Sequence, residues 1–336
     1  MILVTGGTGL VGSHLLYKLI RNGEKVRAIY RSEHKLENVK NVFSSYTDNY
    51  QTVFDAIEWF QADILDIPAL TDAFTDISYV YHCAAFVSFE PDKYQLLRKT
   101  NIEGTANIVN LCISNNAKKL CYVSSIAAIG KPNNSQNINE GTEWNPEKNN
   151  NVYAITKYGA EIEVWRASQE GLNTVIVNPG VILGAGIWRY GTGSLFKKAH
   201  KGLKYYTSGS IGLVDVEDVV NIMITLTNSS IKNERFILIA ETWEYKKFLQ
   251  AMATSVQSEI PKKLASFNLL QIAWRLDWLN HKLFGKRRLL TKHLSQSLSE
   301  KKVYSNSKIK TQLKYNFKPI NETIKEVGQS YLKQVQ

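Results

Sequence analysis

The chain has 336 residues, 44% hydrophobic and 21% charged, ordinary for a soluble globular protein and long enough for one large α/β domain or a core with a smaller lobe. Its three cysteines, Cys83, Cys112 and Cys121, lie in apolar surroundings, which excludes a disulfide framework and points to a reducing compartment. The net charge of +11 is not that of a nucleic-acid module: residues 282–336 hold thirteen Lys or Arg against three acids, the other 281 residues are nearly neutral, and no aromatic-and-basic recognition pattern accompanies the charge.

The chain opens MILVTGGTG, an apolar strand running into glycines rather than the basic start and longer apolar stretch of a signal peptide. No apolar run reaches membrane-spanning length, so a cytoplasmic location is expected. The first strand, Ile2–Thr5, leads into Thr5-Gly6-Gly7-Thr8-Gly9-Leu10-Val11-Gly12 and a helix over Leu10–Asn22. The glycine spacing suits a dinucleotide: Gly6 permits a tight turn, Gly9 lets backbone approach a pyrophosphate, and Gly12 allows the helix to pack on the strand. The phosphates would then meet the free N–H groups of the helix end, including those of Leu10 and Val11.

A second strand, Lys25–Tyr30, ends in Arg31-Ser32 without the acid that usually accepts from an NAD ribose. A guanidinium matches a 2′-phosphate, so Arg31 and Ser32 favour NADP; the alternative is a surface arginine and an enzyme that accepts NAD as well. A weak strand is expected around Val53–Phe60, a short helix over Leu70–Phe74, a strand at Tyr79–Cys83 and a helix over Leu96–Asn115. His82, inside an apolar strand, reads as a satisfied core residue. No pair of histidines has metal-ligand spacing, and no metal is assigned.

The strand Lys119–Ser124 delivers Ser124-Ser125 to its carboxyl end, where a hydroxyl could hold a substrate carbonyl. Residues 132–151, rich in Asn, read as an exposed loop. The helix Tyr153–Glu170 then sets Tyr153 and Lys157 four residues apart, on one face. An ammonium there would stabilise the phenolate and ready Tyr153 as a general acid or base. After the strand Asn173–Asn178, five glycines between Gly180 and Gly193 punctuate a loop with Trp188, Arg189 and Tyr190, and Arg235–Ile239 returns to the sheet. The alternation of β-rich and helical runs predicts a doubly wound parallel sheet. Residues 1–180 form its dinucleotide-binding core, and 181–336 mainly a smaller substrate lobe interleaved with core segments over about 211–240.

TGGTGLVG at 5–12, HCAA at 82–85, TNIEGT at 100–105, VSSIAAIG at 123–130, YAITK at 153–157, NPGVILG at 178–184 and LVDVEDVV at 213–220 resemble the extended short-chain dehydrogenase/reductase superfamily. Within it the chain is most similar to the dihydroflavonol-reductase and 3β-hydroxysteroid-dehydrogenase branch. The resemblance implies a Rossmann-type fold with Ser125, five residues before Gly130, as the substrate-polarising serine and Ser124 as the alternative. It implies Tyr153 as proton donor, with Lys157 binding the nicotinamide ribose and tuning the tyrosine. It places Asp63 and Ile64 at the adenine, Ala84 and Ala85 along the adenosine, Asn101 as a support of the site, and Pro179, Gly180 and Val181 against the nicotinamide. A homodimer is compatible with it.

The departures narrow the chemistry. Ser125-Ile126-Ala127 stands where sugar-nucleotide dehydratases carry Thr-Asp-Glu, so the acid and base of an elimination are missing. The expectation is an NADP-dependent oxidoreductase acting on a carbonyl or secondary alcohol of a small molecule, with Ser88 and Phe89 as candidate pocket residues. The alternatives are an NAD-dependent sugar-nucleotide epimerase and a non-catalytic dinucleotide-binding scaffold or sensor. Phe267–Phe284 predicts a helix apolar over most of its circumference, with Asn268, Gln271, Arg275 and Lys282 on a polar stripe. It reads as packed on the substrate lobe; the alternatives are a lid over an apolar substrate, or membrane binding aided by Lys286-Arg287-Arg288.

Overall fold

In the computed structural model, which describes residues 1–130, 137–286 and 288–335, the strands in chain order begin with β1 (Ile2–Thr5), β2 (Val26–Tyr30), β3 (Glu58–Gln61), β4 (Tyr79–His82), β5 (Lys119–Val123) and β6 (Thr174–Pro179). They continue with β7 (Val181–Leu183), β8 (Tyr205–Tyr206), β9 (Ser210–Asp215), β10 (Glu234–Leu238), β11 (Glu241–Glu244) and β12 (Lys263–Leu264). Seven of them make one sheet in the order β10-β6-β5-β4-β1-β2-β3. Every neighbouring pair in it is parallel.

A parallel sheet is covered on both faces, which is why β1 and β6 are buried along their whole length. Side chains alternate between the two layers. Ile2, Val4, Cys121, Val175 and Val177 pack with Leu15, Leu16, Val219 and Met223 of the helices Leu10–Arg21 and Val216–Asn228. Leu3, Val80, Leu120, Tyr122 and Ile176 face the other way, onto Ile108, Ala160 and Val164 of the helices Gly104–Ser114 and Val152–Gln169. The strand order reverses between β1 and β4, so a crevice opens at their carboxyl ends.

Several expectations are corrected in detail. The stretch Val53–Phe60 divides: Tyr50–Asp55 is helical, burying Val53 and Phe54, and only Glu58–Gln61 reaches register with β2. The short helix begins earlier, at Ile67, because Asp66 caps it by accepting from the Ala69 N–H at 3.2 Å. The long helix starts at Tyr94 and passes through a π-helical segment, Arg98–Glu103. Of the region 211–240, the helix Val216–Asn228 and β10 join the core, whereas β9 pairs with β7 and β11 in a separate three-stranded sheet. That sheet shares a core of its own with Phe196, Phe248, Met252, Ile320, Ile324 and Tyr331.

Residues 131–136 lie outside the described residues; of the rest of the loop expected to be exposed, Ile138 is buried and bridges to Tyr304. The helix Phe267–Phe284 forms with the bounds expected, between a Ser266 cap and Gly285 at φ +64°. Its packing is not as expected: Leu270 is the buried side chain on it. Part of the basic C-terminal charge is paired: Lys301 with Glu244, Lys308 with Glu234, and Lys318 with Asp215 of the body and with Glu326 of its own segment.

Candidate active site

The glycine loop occupies the turn between β1 and the first helix. Gly6 has φ +69°, and a Cβ there would lie 2.5 Å from the Ala84 backbone nitrogen. A Cβ on Gly12 would strike the Gly6 carbonyl oxygen at 2.2 Å, so this glycine allows the helix to close onto the turn. Gly9 differs: a Cβ there would meet only the Gly6 oxygen, at 3.4 Å. Its space is open, directly above the N-terminus of a 12-residue helix whose N-cap makes no side-chain hydrogen bond. A Cβ at Gly9 would thus project into the place where an anionic group can approach the first-turn N–H groups of Leu10, Val11 and Gly12. Thr8 lies in the same turn.

At the end of β2, the Arg31 guanidinium stands 3.5 Å from Asp63 and is more than half exposed. It is held near the crevice yet free to meet a second anion. Ser32 precedes a short 3₁₀ turn without its hydroxyl engaged in capping it. Ile64 is buried against Gly104. Ala84 packs under the glycine loop and Ala85 is exposed along the same strand end. Asn101, buried in the π-helical segment, accepts from the Phe86 N–H at 2.8 Å and donates to the Phe86 carbonyl and to Thr156, tying the segment after β4 to the Tyr153 helix. His82 bonds Thr5 at 2.6 Å and Thr105 at 2.9 Å, and burial pushes its pKa down to about 3, so it is a neutral core residue.

The two serines have different partners. Ser124 donates to the Glu161 carboxylate at 2.6 Å and is buried. Ser125 caps the following 3₁₀ turn by accepting from the Ala127 N–H, and its hydroxyl lies beside the Tyr153 phenol, where it favours the ionised form. Asn151 caps the Tyr153 helix by accepting from the Ala154 N–H at 2.8 Å. Burial pushes the Tyr153 phenol up to about 12, against the opposing pull of Ser125. The Phe89 ring stands edge-on to Tyr153 at 5.5 Å.

Lys157 is held from behind the site. Its ammonium donates to the Tyr122 hydroxyl at 2.5 Å and the Val123 carbonyl at 2.9 Å. Burial lowers its pKa to about 7, with Glu161 supporting the charge. Pro179 ends β6, Gly180 donates to the Leu238 carbonyl at 3.0 Å, and Val181 opens β7, so these three turn the chain from the large sheet into the small one at the crevice.

Sequence reasoning missed the group behind the serines. Glu161 accepts from Ser124 and, at 2.8 Å, from Asn178; Arg235 reaches it at 3.1 Å from β10. Asn178 also donates to the Ser125 carbonyl at 3.0 Å. Three strand ends are thereby fixed relative to one helix. The available signal was the four-residue spacing of Lys157 and Glu161, which puts both on the inner face of that helix.

Comparison with known proteins places the chain in a family. Residues 2–240 match the NAD dependent epimerase/dehydratase family. Among relatives, sterol demethylase protein B of Methylococcus capsulatus is 27% identical over 291 residues, covering 85% of this chain and 84% of that protein. Anthocyanidin reductase of Arabidopsis thaliana is 29% identical over 262 residues, covering 70% and 75%. UDP-glucose 4-epimerase from Thermotoga maritima, solved with UDP-glucose, superposes with a TM-score of 0.77 at 20% identity, covering 100% of this chain and 99% of that one.

Proposed function

The chain belongs to the NAD dependent epimerase/dehydratase family of the extended short-chain dehydrogenases, and from that premise we propose that it is an NADP-dependent oxidoreductase interconverting a carbonyl and a secondary alcohol on an apolar small molecule. The observation that carries the reading is the Ser125–Tyr153 pair at the crevice, with Lys157 one turn further along the same helix. The open space over Gly9 and the half-exposed Arg31 suit a dinucleotide with a 2′-phosphate. Gly6, Thr8, Gly9, Leu10, Val11 and Gly12 would hold its pyrophosphate; Asp63, Ile64, Ala84 and Ala85 would line the adenosine; Pro179 to Val181 would face the nicotinamide, over a site supported by Asn101. When bound in reduced form, the nicotinamide supplies a hydride to the carbonyl carbon.

The side chains supply the rest. Ser125 donates a hydrogen bond to the substrate oxygen, and Tyr153 passes its phenolic proton to that oxygen as the hydride arrives. A phenol pushed to about 12 holds its proton at neutral pH, as a donor in the reductive direction must. Lys157 reaches the ribose and the phenol by leaving Tyr122 and Val123, to which its flexible stem now binds it. Phe89 beside Tyr153 offers apolar contact rather than the hydrogen bonds a sugar would need. The names of the anthocyanidin reductase and sterol demethylase relatives accord with a ring-bearing substrate.

The test is NADPH and NADH consumption over a panel of carbonyl compounds. Turnover with NADPH is expected, falling about 10²–10⁴-fold in Tyr153→Phe. Full activity in that variant, or better use of NADH, would sink the respective claim. Tightly copurifying NAD with no net cofactor turnover would instead favour an epimerase, the activity of the superposable Thermotoga protein.

A further inference from the structure

We propose that the helix Phe267–Phe284 is an interfacial anchor that lays its outer face on an anionic lipid surface. The side it turns to the body mixes Leu270, Ala273 and Trp274 with Gln271, Asp277 and His281. Gln271 bonds Ser295, and Asp277 pairs with Arg288 and accepts from the Leu289 N–H, while Leu270 alone on the helix is buried. The solvent side carries Ile272, Leu276, Leu279 and Leu283, all on one stripe at helical spacing, with Ile272 and Leu276 each 57% exposed and Leu283 63%. Phe284 at the helix end and Leu289 beyond it extend the patch. An aliphatic stripe of this length left in water needs a cover.

The charge around the patch says what covers it. From Ile260 to Lys292 the sequence holds eight Lys or Arg and one acid, Asp277, which Arg288 already engages. Lys282 lies over the Trp278 ring at 5.2 Å and Lys286 over the Phe284 ring at 5.8 Å, and among the described residues neither forms an ion pair. Aromatic rings topped by ammonium groups beside an aliphatic stripe match the boundary between acyl chains and anionic headgroups. An anchor of this kind lies on the surface: no helix among the described residues is long and apolar enough to cross a membrane. A lid is disfavoured, because the apolar stripe points away from the body.

The experiment is co-sedimentation of the full chain with vesicles of phosphatidylcholine alone or mixed with phosphatidylglycerol, at low and high salt. Binding is expected to the mixed vesicles, weaker at high salt, and about tenfold weaker in Ile272→Ser/Leu276→Ser/Leu283→Ser and in Lys282→Glu/Lys286→Glu. Each altered side chain faces solvent, so melting temperature and dinucleotide affinity should stay at wild-type values. If the serine variant unfolds, wild-type fluorescence still decides: brominated acyl chains should quench it, less so in Trp278→Phe. A wild-type protein left in the supernatant, or variants that bind as well as wild type, overturns the proposal. So does sedimentation velocity in which this face joins two copies and lipid binding is absent.

Discussion

Lys157 is where burial and charge conflict most directly. Its pKa falls to about 7 from an ordinary 10.5, so between these values the unfolded chain binds more protons than the native one. Native stability must therefore rise with pH across that window, and the burden on the fold is greatest below it. Replacing the ammonium by Lys157→Met is expected to give a melting temperature that gains on wild type most at pH 7 and least at about pH 10. Thermal unfolding across that range checks this; a difference independent of pH would mean the ammonium is not held out of water. The residue-scale decision between Ser124 and Ser125 has the same character. Both hydroxyls end the same strand, and only the Glu161 carboxylate, on a helix far along the chain, claims one of them.

At the scale of elements, the glycine turn combines two kinds of constraint that substitution can separate. Gly12 is a packing glycine, because a methyl group there meets backbone at 2.2 Å, which cannot yield as a flexible side chain can. Gly9 has room for a methyl group in the protein alone. Gly12→Ala is accordingly expected to lower the melting temperature. Gly9→Ala should melt like wild type but bind NADPH about tenfold or more weakly, a loss of about 1.4 kcal/mol per decade. Calorimetry and fluorescence titration read the two effects separately. Equal affinity in Gly9→Ala would remove the pyrophosphate from this turn. The π-helical segment is another local device: it turns Asn101 toward both Phe86 and Thr156, a placement that the apolar periodicity of 96–115 does not encode.

Across the whole molecule, the last helix, Ile320–Val335, closes the second core and so supports the strands that leave the crevice. Ile324 is fully buried there with Phe248 and Met252, while Thr323 donates to Asp215 at 2.8 Å. Ile324→Ala is expected to cost about 2–4 kcal/mol in chemical denaturation, for the lost contact and the cavity left behind. A cost near zero would mean the helix is not part of that core. Much of this architecture was legible beforehand. Short β-branched runs such as ILVT, ended by glycines, suit buried strands, and a glycine turn between strand and helix has few uses, so sheet, glycine turn and Tyr153 helix all follow from local pattern. Distance along the chain hid the remainder. The sequence by itself determined the Rossmann class, the family and the residues available for chemistry, because these rest on periodicity and on short spacings within single elements. Only the tertiary structure decided that Glu161 engages Ser124 and leaves Ser125 beside Tyr153, that Lys157 turns to Tyr122, that several C-terminal lysines find acids, and that the helix Phe267–Phe284 shows an aliphatic stripe to solvent. Each of these depends on which surfaces face one another after folding, and no local spacing contains that.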